Sequence, residues 1–140
     1  MAEITASEKL MELAFKGLDH GIYSIKDRDG PLIPFIMIQT KGEIEMKRFM
    51  AETLEDSLLQ ARKHIANLSK ELDCVVLAYD GMLTIEGTKY DAIMVDAFDN
   101  TDNKGYCFAQ RYKPKKFLSK FKEIGNAAFV GELDSLLVHK

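Results

Sequence analysis

The stretch CVVLAYDGMLTIEGTKYDAIMVDAFDNTDNKGYCFAQRYK, residues 74–113, decides the fold of this chain. Its apolar run Cys74–Tyr79 is rich in β-branched residues and is typical of a strand buried on both faces. The pair Glu86-Gly87 predicts a two-residue hairpin turn, since glycine readily takes the positive φ that such turns need. The return strand, residues 88–98, is apolar on both faces, so we predict that it lies centrally in an antiparallel meander.

Three finer features of this stretch are also predicted. The pair Asp80-Gly81 ends the first strand or makes a bulge in it, because glycine within a strand pattern often marks a bulge. Residues 99–103, rich in Asp and Asn, form a turn that leads into a further strand, residues 106–112. If this hairpin is symmetric about the middle of its turn, Asp91 and Arg111 face each other as a structural ion pair.

Two helices are expected to pack on the sheet. Residues 5–8 match a capping box that starts the first helix, and His20-Gly21 matches its end. The second helix opens at residues 53–56 and carries the strongest helical periodicity in the chain. Its apolar stripe comprises Leu54, Leu58, Ala61, Ile65, Leu68 and Leu72.

Two strands are predicted between these helices. Pro31 and Pro34 stand at the start of the first, residues 32–39, and proline cannot donate to a β-ladder. We therefore expect this strand to lie at a sheet edge, where a homodimer contact that uses residues near 31–39, or the helix beside them, would cover it. Lys41-Gly42 turns the chain into the second, residues 43–50, in which apolar and charged residues alternate.

The predicted fold class is α+β: one antiparallel sheet of about five strands with two main helices, in the order α-β-β-α-β-β-β. Residues 115–125 suit either a helix or a strand, so the C-terminal segment stays open. The order α-β-β-α followed by a meander resembles the roadblock and profilin-like folds. This likeness of element order transfers no residues and no activity.

Composition places the chain in an ordinary globular class. It has 140 residues, 46% hydrophobic and 29% charged, with a net charge of −3. This length predicts a single domain over residues 1–140. No apolar run is long enough for a membrane span, and the acidic N-terminus does not match a signal peptide. Both cysteines fall in apolar strand patterns, so we expect reduced, buried thiols and a cytoplasmic protein.

The best catalytic pattern is acidic. Glu45 and Lys47 form an E-x-K on a predicted strand, and Asp29 precedes the strand before it. Carboxylates in such an arrangement can hold a divalent ion while the lysine positions a water, as in metal-dependent phosphodiester hydrolases. Asp29 and Glu45 would then be the metal ligands. The same alternation is also ordinary on a solvated strand face.

Asp96 is a further candidate because it shares a face with apolar residues of a central strand. One interpretation is a carboxylate near the sheet margin that bonds to a tyrosine or to backbone. The other is a pocket carboxylate with a raised pKa, which often marks a functional site.

A basic band follows the meander and is the anion-binding candidate. It contains Arg111, Lys113, Lys115 and Lys116 and no acid, while the rest of the chain is acidic. Aromatic residues just before the band would suit stacking on single-stranded nucleic acid, whereas the alternative places them in the core and the lysines in solvent. The acidic remainder argues against nucleic acid as the partner.

These observations favour a non-catalytic cytosolic adaptor or binding module that works through protein contacts, as a homodimer and without a cofactor. The sequence contains no glycine-rich phosphate loop and no nucleophile elbow. Two alternatives stay open: the hydrolase using Asp29, Glu45 and Lys47, and an acidic chaperone or toxin-neutralising partner protein.

Overall fold

The computed structural model describes residues 6–26, 31–68, 71–115 and 119–137. Within these residues the chain forms two α-helices and a six-stranded antiparallel sheet, which confirms the predicted α+β class with one strand more than expected. The elements are α1 (Glu8–Ile25), β1 (Phe35–Thr40), β2 (Glu43–Arg48), α2 (Leu54–Ala66), β3 (Cys74–Ile85), β4 (Thr88–Asp99), β5 (Lys104–Lys113) and β6 (Lys122–Asp134).

Helix α1 differs from its prediction at both ends. Its N-cap is Ser7, whose side chain accepts a hydrogen bond from the backbone N–H of Leu10 at 3.2 Å. Thr5 lies outside the described residues. The helix does not stop at His20-Gly21 but continues to Ile25. Gly21 is present for close packing, because a methyl group added there would lie 2.8 Å from Cγ2 of Ile93 on β4.

Helix α2 begins as predicted. Thr53 is its N-cap and accepts a hydrogen bond from the backbone N–H of Asp56 at 3.1 Å. Ala61 and Ile65, in the middle of the predicted stripe, are fully buried. The helix ends at Ala66, before the last part of that stripe, and its C-cap is Asn67.

The strand order is β2-β1-β3-β4-β5-β6. The central position of β4 and the meander from β3 to β5 are confirmed. The predicted edge position of the strand at residues 32–39 is wrong, because β1 pairs with β2 on one side and with β3 on the other. Pro31 and Pro34 precede Phe35, the first residue of β1, so neither proline interrupts the ladder.

Strand β3 runs through Gly81 without a bulge. Its pairing with β4 keeps one register from Cys74 opposite Asp99 to Ile85 opposite Thr88. Glycine at position 81 makes room for a neighbour, since an added methyl group would lie 2.8 Å from Cγ of Met94. The hairpin turn itself is as predicted: Glu86 and Gly87 have φ of 49° and 80°.

The register of β4 and β5 differs by one residue from the predicted one. Asp91 lies opposite Tyr112, and Ala92 lies opposite Arg111. The predicted Asp91–Arg111 pair is therefore wrong, because the two side chains lie on opposite faces of the sheet. The cause is the length of the turn: its loop, residues 100–103, has four residues, so the hairpin is centred between Thr101 and Asp102 and not on a single residue. Hydrogen bonds from Thr101 N to Asp99 and from Lys104 N to Asp102 hold this turn.

From residue 122 onward, the C-terminal segment that the sequence left open as helix or strand forms strand β6. It pairs with β5 through two register shifts, one of them between Ala109 and Arg111. The side chain of Gln110 fills that irregularity, where its Nε2 donates to the carbonyls of Ile124 and Gly125 at 3.3 Å and 3.1 Å. The side chain of Gln110 thus satisfies two carbonyl groups that a regular ladder would have paired with backbone N–H groups.

Each face of the sheet carries its own apolar layer. The α1 face packs against α1 through Phe35, Met37, Val76, Ala78, Ile93, Val95, Ala97, Tyr106, Phe108 and Tyr112. The α2 face packs against α2 through Ile36, Val75, Leu77 and Phe98, and continues over Ala92, Met94, Cys107 and Ala109. Both cysteines are free and buried. Cys74 belongs to the α1 face and Cys107 to the α2 face.

Candidate functional site

Strand β2 places the E-x-K pair at the outer edge of the sheet. Glu45 and Lys47 point to the α2 face, and both are exposed. Asp29 lies outside the described residues, so its predicted part in a metal site stays a prediction. Within the part of the chain that the structure describes, no three His, Cys, Asp or Glu side chains form a group that could hold a metal ion.

The surroundings of Lys47 are aromatic. Its Nζ lies 5.5 Å from the ring centroid of Phe49, and that ring lies 5.6 Å from the ring of His64 on α2. Partial burial lowers the pKa of His64, and the positive charge of Lys47 lowers it further while Glu45 opposes the change. The ammonium group of Lys47 therefore lies at the surface and contacts the Phe49 ring in a cation–π interaction.

The other face of β2 carries Ile44, Met46 and Arg48. Ile44 is 41% exposed, and Met46 is partly buried against the α1 layer. Among the described residues, β2 has a strand neighbour only at β1, so its outer side presents unpaired backbone groups. This side of the molecule is an open edge, with Ile44, Met46 and Arg48 on one face and Glu43, Glu45 and Lys47 on the other.

Asp96 is buried, with 5% of its surface exposed. The hydroxyl of Tyr79 donates to its Oδ1 at 3.1 Å, as predicted for a tyrosine partner. The predicted position near the sheet margin is wrong, because Asp96 lies on β4 between Leu77 of β3 and Cys107 of β5. Burial raises the pKa of Asp96, although the hydrogen bonds from Cys107 and Tyr79 oppose that rise. The guanidinium of Arg62 covers the Tyr79 ring at 5.8 Å. Asp96 thus joins β4 to its neighbouring strands inside an apolar layer.

Asp80 is a half-buried carboxylate that the sequence did not indicate, since Asp80-Gly81 was interpreted as a strand end or a bulge. The hydroxyl of Tyr112 donates to both of its oxygens at 2.8 Å, and the backbone N–H of Leu32 donates at 3.1 Å. Burial raises the pKa of Asp80 against the effect of these bonds. The carboxylate ties β3 to β5 and to the segment entering β1.

The basic band does not form the stacking platform that nucleic acid would need. Tyr106, Phe108 and Tyr112 are buried in the α1 layer, which favours the core interpretation. Arg111 lies on the α2 face, with Cζ at 4.7 Å from the ring centroid of Tyr90. Of the remaining band residues, Lys113 and Lys115 are exposed, and Lys116 lies outside the described residues.

A cleft of about 420 Å³ lies between the last turns of α1 and the segment that leads into β1. Polar and charged side chains of α1 form one wall, and Arg48 at the end of β2 reaches the other. The sequence did not indicate this site, because α1 was expected to end at Gly21 and Arg48 stood in no motif. The cleft is lined by His20, Tyr23, Ser24, Lys26, Leu32, Ile33, Phe35 and Arg48.

No protein-family model matches the chain, and neither curated proteins nor solved structures give a significant match to it. Neither helix in the described part of the chain combines the length and apolarity that crossing a membrane requires. The geometry of the edge and of the cleft therefore carries the functional argument.

Proposed function

We propose that the protein is a non-catalytic binding module that acts through protein contacts, and that its first partner is a second copy of itself. The observation that supports this is the order of charges on the open edge strand β2. Glu45, Met46 and Lys47 form a sequence that is complementary to itself when two copies run antiparallel.

The geometry follows from the symmetry of such a contact. A two-fold axis perpendicular to the sheet keeps each face on its own side, so residues directly opposite each other must share a face. An axis through Met46 meets this condition. It places Glu45 opposite Lys47 of the second copy, and Lys47 opposite Glu45 of the second copy, on the exposed α2 face.

The α1 face of β2 is compatible with this register. Met46 would meet its own copy at the axis, and Ile44, whose side chain is 41% exposed in the single chain, would lie opposite Arg48 of the second copy. Pairing would also satisfy the outer backbone groups of β2, which an open edge leaves to water or to another strand. Two six-stranded sheets would then become one continuous sheet.

A charge-swap experiment tests this contact. Glu45→Lys alone and Lys47→Glu alone each place like charges opposite each other at two symmetric positions. Each is expected to weaken dimerisation about tenfold or more, since cross-strand charge pairs contribute roughly 0.2–1 kcal/mol apiece. The double variant Glu45→Lys/Lys47→Glu restores opposite charges and should recover the wild-type association, measured by sedimentation equilibrium.

Glu123→Lys on the other edge strand, β6, is the matched control and should leave association unchanged. A single-chain mass at every concentration would overturn the proposal. So would a double variant as weak as the single ones. Dissociation by Glu123→Lys would move the contact to β6 and reject the assignment of β2.

The same variants address the hydrolase hypothesis, because Glu45 and Lys47 share a face of β2. A hydrolase using Asp29, Glu45 and Lys47 should be stabilised by Mg²⁺ or Mn²⁺, and the charge swap should abolish that effect, since ion binding to the folded state alone raises the melting temperature. A binding module should show the same melting temperature with and without the ion. A partner protein of the chaperone or toxin-neutralising kind would share that result.

A further inference from the structure

The cleft beside α1 is lined by residues of one chain, and one of them, Arg48, is the last residue of β2, the strand that pairs in the proposed dimer. His20, Tyr23 and Ser24 lie on the last turns of α1, which pack closely on β4 where Gly21 approaches Ile93. The ring of His20 packs edge-on against Phe35 with centroids 5.0 Å apart. Ser24 donates to the His20 carbonyl at 2.7 Å, so this wall is held in place by local contacts.

The charges that line the cleft are positive. Arg48 and Lys26 supply two cations, and no acidic side chain is among the described residues of the lining. Neither cation has a carboxylate within ion-pair distance in the described part of the chain. Both charges line a site with partly apolar walls, where electrostatic attraction to an anion is stronger than in open water.

His20 adds a neutral polar group to these cations. Its Nε2 lies 3.4 Å from Nη2 of Arg48. Partial burial lowers the pKa of His20, and the charge of Arg48 lowers it further. The imidazole therefore stays uncharged at neutral pH, where it can accept from the guanidinium and orient it.

The remaining lining suits a small organic group. Leu32, Ile33 and Phe35 form an apolar floor, and the ring of Tyr23 is 69% exposed at the rim. Lys26 lies with Nζ at 5.1 Å from the centroid of that ring. The volume of about 420 Å³ falls within the range of roughly 300–1,000 Å³ that small-molecule sites occupy.

We propose that this cleft binds a small organic phosphate monoester, with the phosphate on Arg48 and Lys26 and a flat apolar group against Tyr23 and the floor. An arginine fork bonds two phosphate oxygens at once, whereas lysine acts as a point charge. The apolar floor gives a reason to prefer an ester over the free ion. This binding activity is additional to the protein contacts proposed above.

Phenyl phosphate is the probe, titrated into the full-length protein by calorimetry and followed by amide chemical shifts. Arg48→Gln is expected to weaken binding about tenfold or more, because it removes charge-assisted hydrogen bonds. Arg48→Lys keeps the charge but loses the fork and should fall between wild type and Arg48→Gln. Lys16→Gln, an exposed lysine of α1 outside the cleft, should bind as wild type does.

Two further measurements distinguish a specific binding site from a general attraction of anions. Inorganic phosphate should bind several-fold more weakly than phenyl phosphate, and Tyr23→Ala should remove most of that difference. The proposal is overturned if Lys16→Gln weakens binding as much as Arg48→Gln does. It is also overturned if shifts cluster at residues 111–115, or if phenyl phosphate gives no saturable binding to folded protein.

Discussion

At the scale of single residues, four aspartates of the sheet fall into two electrostatic environments. Burial raises the pKa of Asp80 and Asp96, which lie within packed layers. Burial also acts to raise the pKa of Asp99, the last residue of β4, but hydrogen bonds from Thr101 and Ser7 outweigh it and lower that pKa. Hydrogen bonds likewise lower the pKa of Asp102, in the turn after β4. In the folded state, Asp80 and Asp96 favour the protonated form, whereas Asp99 and Asp102 favour the charged form. Their effects on how stability changes with pH therefore have opposite signs.

Asp96→Asn tests the first environment. Because the folded pKa of Asp96 is raised above 3.8, the folded wild type binds its proton more tightly than the unfolded chain does. The stability that this tighter proton binding contributes is complete below pH 3.8 and is lost as the pH rises through the folded pKa of Asp96. Asparagine does not titrate and still accepts from Tyr79. We therefore expect the stability of the variant relative to wild type to increase with pH across that interval, in urea unfolding.

Asp102→Asn is the control with the opposite sign. Asp102 accepts from the Tyr106 hydroxyl at 2.6 Å, and its folded pKa is lowered below 3.8. The wild type should be the more stable protein above 3.8, and its advantage should disappear as pH falls through the folded pKa. If the stabilities of the two variants relative to wild type changed with pH in the same direction, burial would not explain the titration of Asp96.

At the scale of elements, the two helical glycines of α1 make a matched pair. A methyl group at Gly17 would meet Cγ2 atoms of Val76 and Val95 at 3.4 Å, an ordinary contact distance. At Gly21 it would meet Cγ2 of Ile93 at 2.8 Å, which requires β4 or the helix to shift. Alanine normally stabilises a helix interior relative to glycine by roughly 0.5–1 kcal/mol.

Gly17→Ala is therefore expected to leave stability unchanged or to raise it by up to about 1 kcal/mol, while Gly21→Ala costs about 1–3 kcal/mol through overpacking. The measurement is the free energy of unfolding of both variants in urea. A Gly21→Ala protein as stable as Gly17→Ala would contradict the close approach of α1 to Ile93.

Elements with strong local signals were predictable from the sequence. The start of α2 follows from Thr53 and its apolar stripe, and the β3–β4 hairpin follows from Glu86-Gly87. The end of α1 did not follow, because glycine there serves a contact with a distant strand. Strand β6 was also obscured, since Gly125 and Asn126 resemble a turn and are instead part of an irregular pairing completed by Gln110.

The candidate sites were predictable to a lesser degree. The E-x-K pattern correctly predicted that Glu45 and Lys47 share a strand face, but the position of β2 at the edge depends on strand order, which no local pattern encodes. The cleft brings His20 and Lys26 to Arg48 from separate elements. Only the tertiary fold brings these residues together, so periodicity and spacing carried no signal for it.

At the scale of the whole molecule, support for the sheet is uneven along β3 and β4. Val76 lies between strand partners on both sides, Met37 on β1 and Ala97 on β4. Pairing with β1 ends at Ala78, and pairing of β4 with β5 ends at Asp91. The hairpin tip at residues 83–90 is therefore a two-stranded ribbon that extends beyond its neighbours among the described residues.

Amide hydrogen exchange should follow this gradient. Isolated two-stranded ribbons are only marginally stable, so the tip is expected to open locally while residues 75–77 exchange through global unfolding. We expect the hydrogen-bonded amides of the tip to exchange on the order of a hundredfold or more faster than those around Val76. Equal protection in both segments would indicate that another part of the molecule covers the ribbon.

The strand order also has a kinetic consequence. In the described sheet, every neighbouring pair of strands is consecutive along the chain except β1 and β3, which β2 and α2 separate in sequence. Closing a long loop costs more chain entropy than forming a hairpin, so the β1–β2 hairpin and the β3–β6 meander can each assemble locally before they join. We therefore expect the pairing between β1 and β3, from Phe35 opposite Ala78 onward, to be the last part of the sheet to form, since it must close the chain segment that contains β2 and α2.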